Sequence, residues 1–253
     1  MTAPQTRRDL KEMTSWEFPA NDPIDLQVRI PAGDVTVRAA AIQTARVTLS
    51  GAERTLDATR VEFENGVLSV IAPDRPRLGR TADLDVTVEM PEGSSCVAHT
   101  ASADVRCTGE LSSIDLHTAS GDISAERVSG VAMATTASGD VYVGEAGEVD
   151  ANSASGDVTI GQVSGAVQVS TASGDVRIDA ASGSRAEAKS ASGDINIAVT
   201  PGIGVYLDLS TLSGTVSSEL DPAEQTGGAD MTLSCRTLSG DVQVTRAAQP
   251  ATR

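Results

Sequence analysis

The sequence predicts an all-β protein folded as a parallel β-solenoid, with about 18 residues and two short strands in each coil. Three observations support this fold class. A Ser-Gly-Asp tripeptide recurs at near-constant spacing, apolar and polar residues alternate on both sides of it, and aromatic residues make up only 2% of the chain. Small β-branched side chains suit a narrow core, whereas a thick globular core would contain more Phe, Trp and Leu.

The tripeptide defines the repeat. Aligned on its aspartate, successive copies are separated by 18, 18, 17, 18, 19, 21 and 26 residues. A fixed period of this size is typical of solenoids, in which each unit buries its apolar face only against its neighbours. The aspartate positions are Asp104, Asp122, Asp140, Asp157, Asp175, Asp194, Thr215 and Asp241.

A strand is predicted on each side of the tripeptide. Before it, Ile114, Leu116 and Thr118 alternate with the polar Asp115 and His117, and the other repeats follow the same pattern. After it, the positions one and three residues beyond the aspartate are mostly Val or Ile. Alternation of period two indicates a strand with one buried face. We therefore expect equivalent strands of neighbouring coils to run parallel, in chain order.

The strand-like runs before residue 96 are less regular than the later repeats, and helix is nearly absent from the pattern. Surface loops are expected at Arg75–Thr81 and Leu220–Asp230. The sequence thus predicts four regions, which are a disordered N-terminal tail (1–15), irregular β coils that cap the solenoid (16–95), the regular repeat array (96–245) and a disordered C-terminal tail (246–253).

Composition excludes several classes of function. The 253-residue chain has a formal net charge of -16, which repels nucleic-acid phosphates. It contains no apolar stretch of 18 residues, and its first 20 residues contain no hydrophobic run. Three cysteines without paired spacing indicate a reducing compartment. We expect no nucleic-acid partner, no membrane insertion and a cytoplasmic location, with surface exposure by a non-classical route left open.

The tripeptide itself has a structural interpretation. Its glycine suits a backbone position with positive φ, and its serine and aspartate can hydrogen-bond to turn amides. An inward Thr or Ser four residues before the aspartate can form a ladder of hydroxyls between coils. The predicted turn residues are Ser120, Gly121, Ser138, Gly139, Ser155, Gly156, Ser173, Gly174, Ser192, Gly193, Ser239 and Gly240.

A divalent-cation site is the alternative interpretation of the aspartate row, because stacked carboxylates repel one another and bound Ca²⁺ would relieve that repulsion. The candidate ligands are Asp122, Asp140, Asp157, Asp175 and Asp194. Calcium-binding β-rolls use a different pattern, with two adjacent glycines and an aspartate in every half-coil. His99 and His117 occupy one outward column, where stacked imidazoles could bind a transition metal.

No catalytic motif is present, so we expect no enzymatic activity and no cofactor. Cys96, Cys107 and Cys235 fall at core positions and are expected to act as small hydrophobes. Carbohydrate-active β-helices use acids and bases in a groove built by long loops, and the loops here are short. A glycan-binding or glycan-cleaving β-helix therefore remains as a further alternative.

Three segments carry a family resemblance in addition to the repeats, namely Ile30–Val35, Met90–Gly93 and His99–Asp104. Together with the TASGDV and SASGDV series, they resemble a β-strand-repeat family of uncharacterised bacterial proteins, common in actinobacteria and labelled putative adhesins. The resemblance covers roughly residues 20–246. It implies a β-solenoid without known catalysis and supplies no established functional residues. Ala103 stands where glycine is usual, and Thr215 replaces an aspartate.

The leading functional hypothesis is a non-catalytic scaffold or protein-binding module. It depends on long outward faces and on the lack of a reactive group of residues. Such faces would recruit an unknown protein partner or support self-association.

Overall fold

The computed structural model describes residues 12–73, 83–220 and 230–248, and the all-β prediction is confirmed. Within these ranges the chain forms one short helix, α1 (Glu53–Ala58), and nineteen strands. The strands are β1 (Glu12–Pro19), β2 (Asp25–Ala40), β3 (Thr44–Gly51), β4 (Arg60–Glu64), β5 (Val67–Ile71), β6 (Leu84–Pro91), β7 (Ser95–Leu111), β8 (Ser113–His117), β9 (Ile123–Ser138), β10 (Val141–Ser155), β11 (Val158–Val163), β12 (Val167–Ser173), β13 (Val176–Ala181), β14 (Arg185–Ser192), β15 (Ile195–Val199), β16 (Val205–Ser213), β17 (Val216–Ser218), β18 (Met231–Ser239) and β19 (Val242–Arg246).

The repeats stack as layers, with two parallel columns of strands. In the column after the tripeptide, Val141 pairs with Ile123 on one side and Val158 on the other. In the column before it, Val149 of β10 pairs with Val167 of β12. These pairs join equivalent positions of the repeat, so each residue type lies in a row that runs from layer to layer.

The last two repeats stack out of chain order. β14 pairs with β18 and β15 pairs with β19, whereas β16 and β17 pair with β18 and β19 from the far side. The final repeat is therefore inserted between the two that precede it, and β16 and β17 form the last layer. This arrangement corrects the expectation of chain order and accounts for the long spacings of 21 and 26 residues. The predicted loop Leu220–Asp230 lies outside the described residues except at its ends.

The N-terminal end is built differently, because the sheet there is mixed. β2 forms parallel pairs on both sides. β5 and β6 pair with it on the side facing the N-terminal end of the stack, and β7 pairs with it on the side facing the regular repeats. Three antiparallel strands then cover this end, since β4 pairs with β5, β3 with β6 and β1 with β3. The predicted basic loop Arg75–Thr81 lies outside the described residues.

Regular structure extends into both predicted tails. Residues 12–15 belong to β1, because their backbone pairs with β3. At the other end Arg246 completes β19, and the Ala247 N–H donates to the Val199 carbonyl at 2.9 Å. Strands therefore extend beyond the predicted range 16–245 at both ends.

The core is a thin column of Val, Ile, Leu and Ala, which the inward positions of each layer contribute. Val143, Ile160 and Leu233 are fully buried. The three cysteines are buried among these residues, as predicted. A hydrogen bond with Cys107, followed by burial, raises the pKa of the Cys96 thiol, and burial raises the pKa of Cys235 to about 12. For Cys96 and Cys235 the raised pKa favours the protonated thiol.

Candidate functional site

The Ser-Gly-Asp turns form one edge of the stack, which we name the signature corner. Here each aspartate carboxylate accepts a hydrogen bond from the backbone of the next layer. The Asp140 N–H donates to Asp122 Oδ1 at 2.9 Å, and the Asp175 N–H donates to Asp157 Oδ1 at 2.8 Å. The row continues from Asp194 to Asp241 and ends where the Thr215 N–H donates to Asp241 Oδ1. Thr215 lies in the last layer and has no further layer to bind, which explains why the aspartate is dispensable there.

The glycines of this corner are required by contact between layers. A Cβ on Gly139 would lie 2.0 Å from the carbonyl oxygen of Gly121, and a Cβ on Gly156 would lie 2.0 Å from that of Gly139. Neither glycine has a φ in the range that side chains avoid, although Gly193 and Gly240 do. The prediction of positive φ is therefore wrong for the middle of the row, where close backbone approach is the constraint.

The buried hydroxyls bind carbonyl groups, and they do not form the ladder with one another that the sequence suggests. Thr136 Oγ1 donates to the Gly121 carbonyl at 3.3 Å, and Ser190 Oγ donates to the Gly174 carbonyl at 3.2 Å. Each bond crosses to the preceding layer. The serines of the tripeptide, in contrast, are exposed, and those side chains are Ser120, Ser138, Ser155, Ser173, Ser192 and Ser239.

This hydrogen bonding gives the aspartate row a structural role without a cation. Within the described ranges, no group of three or more His, Cys, Asp or Glu residues could hold a metal ion. The rings of His99 and His117 stack with centroids 5.0 Å apart and an interplanar angle of 9°. His117 Nε2 also lies 2.7 Å from Asp115 Oδ1. Cation binding by Asp122, Asp140, Asp157, Asp175 and Asp194, or by the two histidines, stays a prediction.

A second edge, which we name the return corner, lies where the chain leaves each second strand and returns to the next repeat. It comprises the residues five to seven positions beyond each aspartate. A groove of about 340 Å³ runs along it, parallel to the stacking direction. One wall is formed by Ser129, Gly147, Ser164, Ser182 and Thr200, and the other by Glu110, Arg127, Glu145, Gln162 and Ala180. Each wall spans five layers, which corresponds to about 19 Å at the spacing of paired strands, and the two walls are offset by one layer.

The second wall is a ridge that is charged in its first three layers, with opposite signs in adjacent layers, and neutral in the last two. Arg127 pairs in register with Glu110 on one side and Glu145 on the other. Glu126 accepts a hydrogen bond from the Gly109 N–H at 2.9 Å. Arg127, by comparison, is exposed and forms no hydrogen bond or ion pair with any residue that the structure describes. Its guanidinium is thus available to a binding partner.

A second groove of about 700 Å³ lies on the other side of this ridge. Tyr142, which is 48% exposed, and Arg177 contribute to its lining. Arg177 Nε donates to Asp179 Oδ1 at 2.7 Å, which holds this second cation in an ion pair. Arg246, which also lines this groove, donates to the Thr200 and Ile203 carbonyls, so Arg127 has the one guanidinium of the described lining that makes no hydrogen bond or ion pair with a described residue.

The groove at the return corner was not identified from the sequence, in which the repeated tripeptide is the most prominent pattern. One signal was available, because the position five residues beyond the aspartate changes from Arg127 to Glu145 to Gln162 to Ala180. If the residue at one position changes from layer to layer, that position does not depend on one side chain to hold the layers together. This variation is the sequence signal that could have identified the surface as a candidate binding site.

Stacked parallel repeats with a grooved side define the class as a β-strand repeat protein. The chain belongs to the Toastrack DUF4097 family, whose profile matches residues 23–252. The resemblance to an uncharacterised family of putative adhesins is thereby confirmed. No functionally curated protein matches the chain. Among the described residues, no helix is long and apolar enough to cross a membrane.

Several solved structures share this fold. A putative adhesin from Bacteroides fragilis is 12% identical, with a TM-score of 0.54, and the match covers 93% of this chain and 98% of that one. A putative lipid binding protein from Parabacteroides distasonis is 14% identical, with a TM-score of 0.59, covering 92% and 97%. A putative adhesin from Parabacteroides merdae is 10% identical, with a TM-score of 0.53, covering 93% and 97%. At these identities the similarity establishes the fold.

Proposed function

We propose that this chain is a non-catalytic β-solenoid scaffold that binds a protein partner through the groove of the return corner. The observation that carries the proposal is the unpaired guanidinium of Arg127 on the wall of a groove whose walls each span five layers. Parallel pairing of equivalent positions, one repeat apart, supports the solenoid assignment. The adhesin names of two structural neighbours agree with protein binding.

The groove suits an extended segment of a partner. A length of about 19 Å accommodates about six residues of extended chain at roughly 3.3 Å per residue. The wall of Ser129, Ser164, Ser182 and Thr200 offers side-chain oxygens, and Val128 and Val163 supply apolar lining. Arg127 would bind a carboxylate of the partner, because guanidinium–carboxylate hydrogen bonds are among the stronger ones at interfaces.

The proposed role is non-catalytic because of the chemistry of the lining residues. The two grooves contain no histidine and no cysteine among their described lining residues. The remaining groups are carboxylates, hydroxyls, amides and guanidinium groups, which suffice for recognition. Binding in the cytoplasm is part of the same proposal.

Affinity capture tests this function. The wild-type chain is immobilised and incubated with lysate of the organism that encodes it, beside the variants Arg127→Gln and Arg106→Gln. Arg106 is an exposed arginine outside both grooves, so it controls for loss of one positive charge. We expect one or more proteins that are retained by the wild type and by Arg106→Gln but lost with Arg127→Gln. Retention of no protein above background, or equal retention by all three chains, would refute the proposal.

A further inference from the structure

The last layer of the stack has a free sheet edge. β16 and β17 pair with β18 and β19 on their inner side, and no other described strand pairs with their outer side. The inward residues Leu207 and Leu209 are consequently only partly buried, whereas Leu233, at the position equivalent to Leu207 in the next layer, is fully buried. The N-terminal end has its antiparallel strands, so the two ends of the described chain are not alike.

This edge has no proline and only one charged residue, the kinds of residue by which proteins prevent an edge strand from pairing with a strand of another molecule. Natural edge strands are protected by charged side chains, by Pro or by bulges. Residues 205–218 contain no Lys and no Pro, and they carry a single charge in a chain of net charge -16. That charge, on Asp208, is neutralised by Arg236 at 2.9 Å. A second acidic molecule can therefore approach the last layer with little charge repulsion from β16 and β17.

The outward face of β16 also exposes large apolar side chains. Tyr206 is 63% exposed and Leu212 is 84% exposed. Leu212 and its neighbour Leu238 occupy a position, three residues before the aspartate position, where the inner layers have alanine. The alanines are Ala119, Ala137, Ala154, Ala172 and Ala191.

The strand is complementary to itself. In an antiparallel pair centred on Leu209, the inward Leu207 meets the inward Thr211, and Tyr206 of one strand lies opposite Leu212 of the other. Leu209 then meets Leu209, and Asp208 meets Ser210. Shifting the register by one residue would place inward residues opposite outward ones. Among registers that keep the core side inward, this one joins the two exposed apolar side chains.

We propose that β16 pairs antiparallel with β16 of a second copy, so that two molecules associate end to end around a twofold axis. A twofold interface uses the same surface on both molecules, and the self-complementary register fits that requirement. Pairing satisfies the free backbone groups of the edge and covers Leu207, Leu209, Tyr206 and Leu212. The inference is independent of the groove, which lies along the side of the stack.

Sedimentation over a range of protein concentrations tests the association. We expect dimers of the wild type, and we expect Leu212→Lys to raise the dimer dissociation constant at least about tenfold, or ~1.4 kcal/mol. Met133→Lys is the matched control, because Met133 is 43% exposed on an inner layer. It should dimerise like the wild type. A monomeric wild type, or a Leu212→Lys variant that dimerises normally, overturns the proposal.

Disulfide trapping tests the register. Opposed residues of an antiparallel pair have Cα atoms about 4.5–5.5 Å apart, within the range of roughly 4.4–6.8 Å that a disulfide spans. The double variant Tyr206→Cys/Leu212→Cys should give a covalent dimer with oxidised glutathione, and each single variant should not. The native cysteines are buried and do not interfere. Cross-linking of the single variants, or no cross-linking of the double variant, contradicts the register. The groove is tested separately, by comparing partner capture between Arg127→Gln and Arg106→Gln.

Discussion

The signature corner and the return corner belong to the same layers but differ in how much their residues vary. At the signature corner, Ser-Gly-Asp recurs in nearly every layer, and each aspartate binds the backbone of the next. At the return corner, one column changes from Glu110 through Arg127 and Glu145 to Gln162 and Ala180. Both corners are exposed, so exposure does not explain the difference.

The difference follows from what each corner binds. Carboxylates of the signature corner bind backbone groups of their neighbours, and every layer presents the same backbone. The same residues are therefore required each time. The side chains of the ridge at the return corner make fewer hydrogen bonds to neighbouring layers, and the Arg127 side chain makes none with the described residues. In a stacked repeat protein, recurrence thus indicates residues that hold the stack together, and variation indicates residues that are free to bind a partner.

The largest effect is expected from a methyl group at the signature corner. In Gly156→Ala, the new Cβ would lie 2.0 Å from the Gly139 carbonyl oxygen. Because the Cβ is fixed directly to the Cα and the carbonyl belongs to the backbone, neither can rotate away; the layers must separate, and we expect a loss of about 3 kcal/mol or more in the free energy of unfolding. Ser155→Ala, one residue away, should change it by less than about 0.5 kcal/mol. Urea unfolding measures both, and circular dichroism of the expressed protein reports a variant that fails to fold. Equal stability of the two variants would contradict the steric explanation.

A smaller loss is expected when one carboxylate is removed. In the wild type the Asp175 N–H donates to Asp157 Oδ1 at 2.8 Å. Asp157→Ala removes this acceptor and should lower the free energy of unfolding by about 1 kcal/mol. Asp157→Asn keeps an oxygen at the same place and should restore most of that stability. If Asp157→Asn were as unstable as Asp157→Ala, and Ca²⁺ raised the melting temperature of the wild type alone, the cation interpretation would replace the hydrogen-bonding one.

A side-face ion pair provides a pH-dependent test away from both corners. Hydrogen bonds from Lys189 and then Arg185 lower the pKa of Glu187 from 4.5 to about 2. Because the folded pKa is the lower one, the stabilisation is complete above pH 4.5 and is lost as the pH falls toward 2. Glu187→Gln should therefore cost about 0.5–1 kcal/mol at pH 7, and the difference from wild type should shrink at pH 3. A difference that grows on acidification would contradict this assignment.

Much of the fold could be predicted because its signals are local. Period-two alternation identified the inward residues, and residues such as Val143 and Ile160 are buried accordingly. The order of the last layers could not be predicted, because β16 and β18 have the same pattern and either would fit against β14. The order depends on the path of the chain after β17, which no repeat encodes.

The site was harder to predict than the fold. The repeated tripeptide is the most prominent pattern in the sequence, but its residues have structural roles. Asp157 takes part in the hydrogen bonds between layers, and Gly156 allows the backbones of two layers to approach closely. The groove forms only when residues 17 or 18 positions apart are stacked, so that Ser164 lies beside its equivalents. No short segment contains it.

The smallest effect on stability should come from filling the groove. Ser164 lies on the groove wall and is exposed, as Ser173 is at the signature corner. Ser164→Leu and Ser173→Leu should each change the free energy of unfolding by less than about 0.5 kcal/mol, because neither enters the core. Only Ser164→Leu should reduce capture of the partner, since its side chain occupies the space of an extended segment. Titration of the captured partner against both variants measures this difference. If Ser173→Leu impaired binding and Ser164→Leu did not, the partner would bind the signature corner, and residues that recur in every layer would then serve binding as well as stacking.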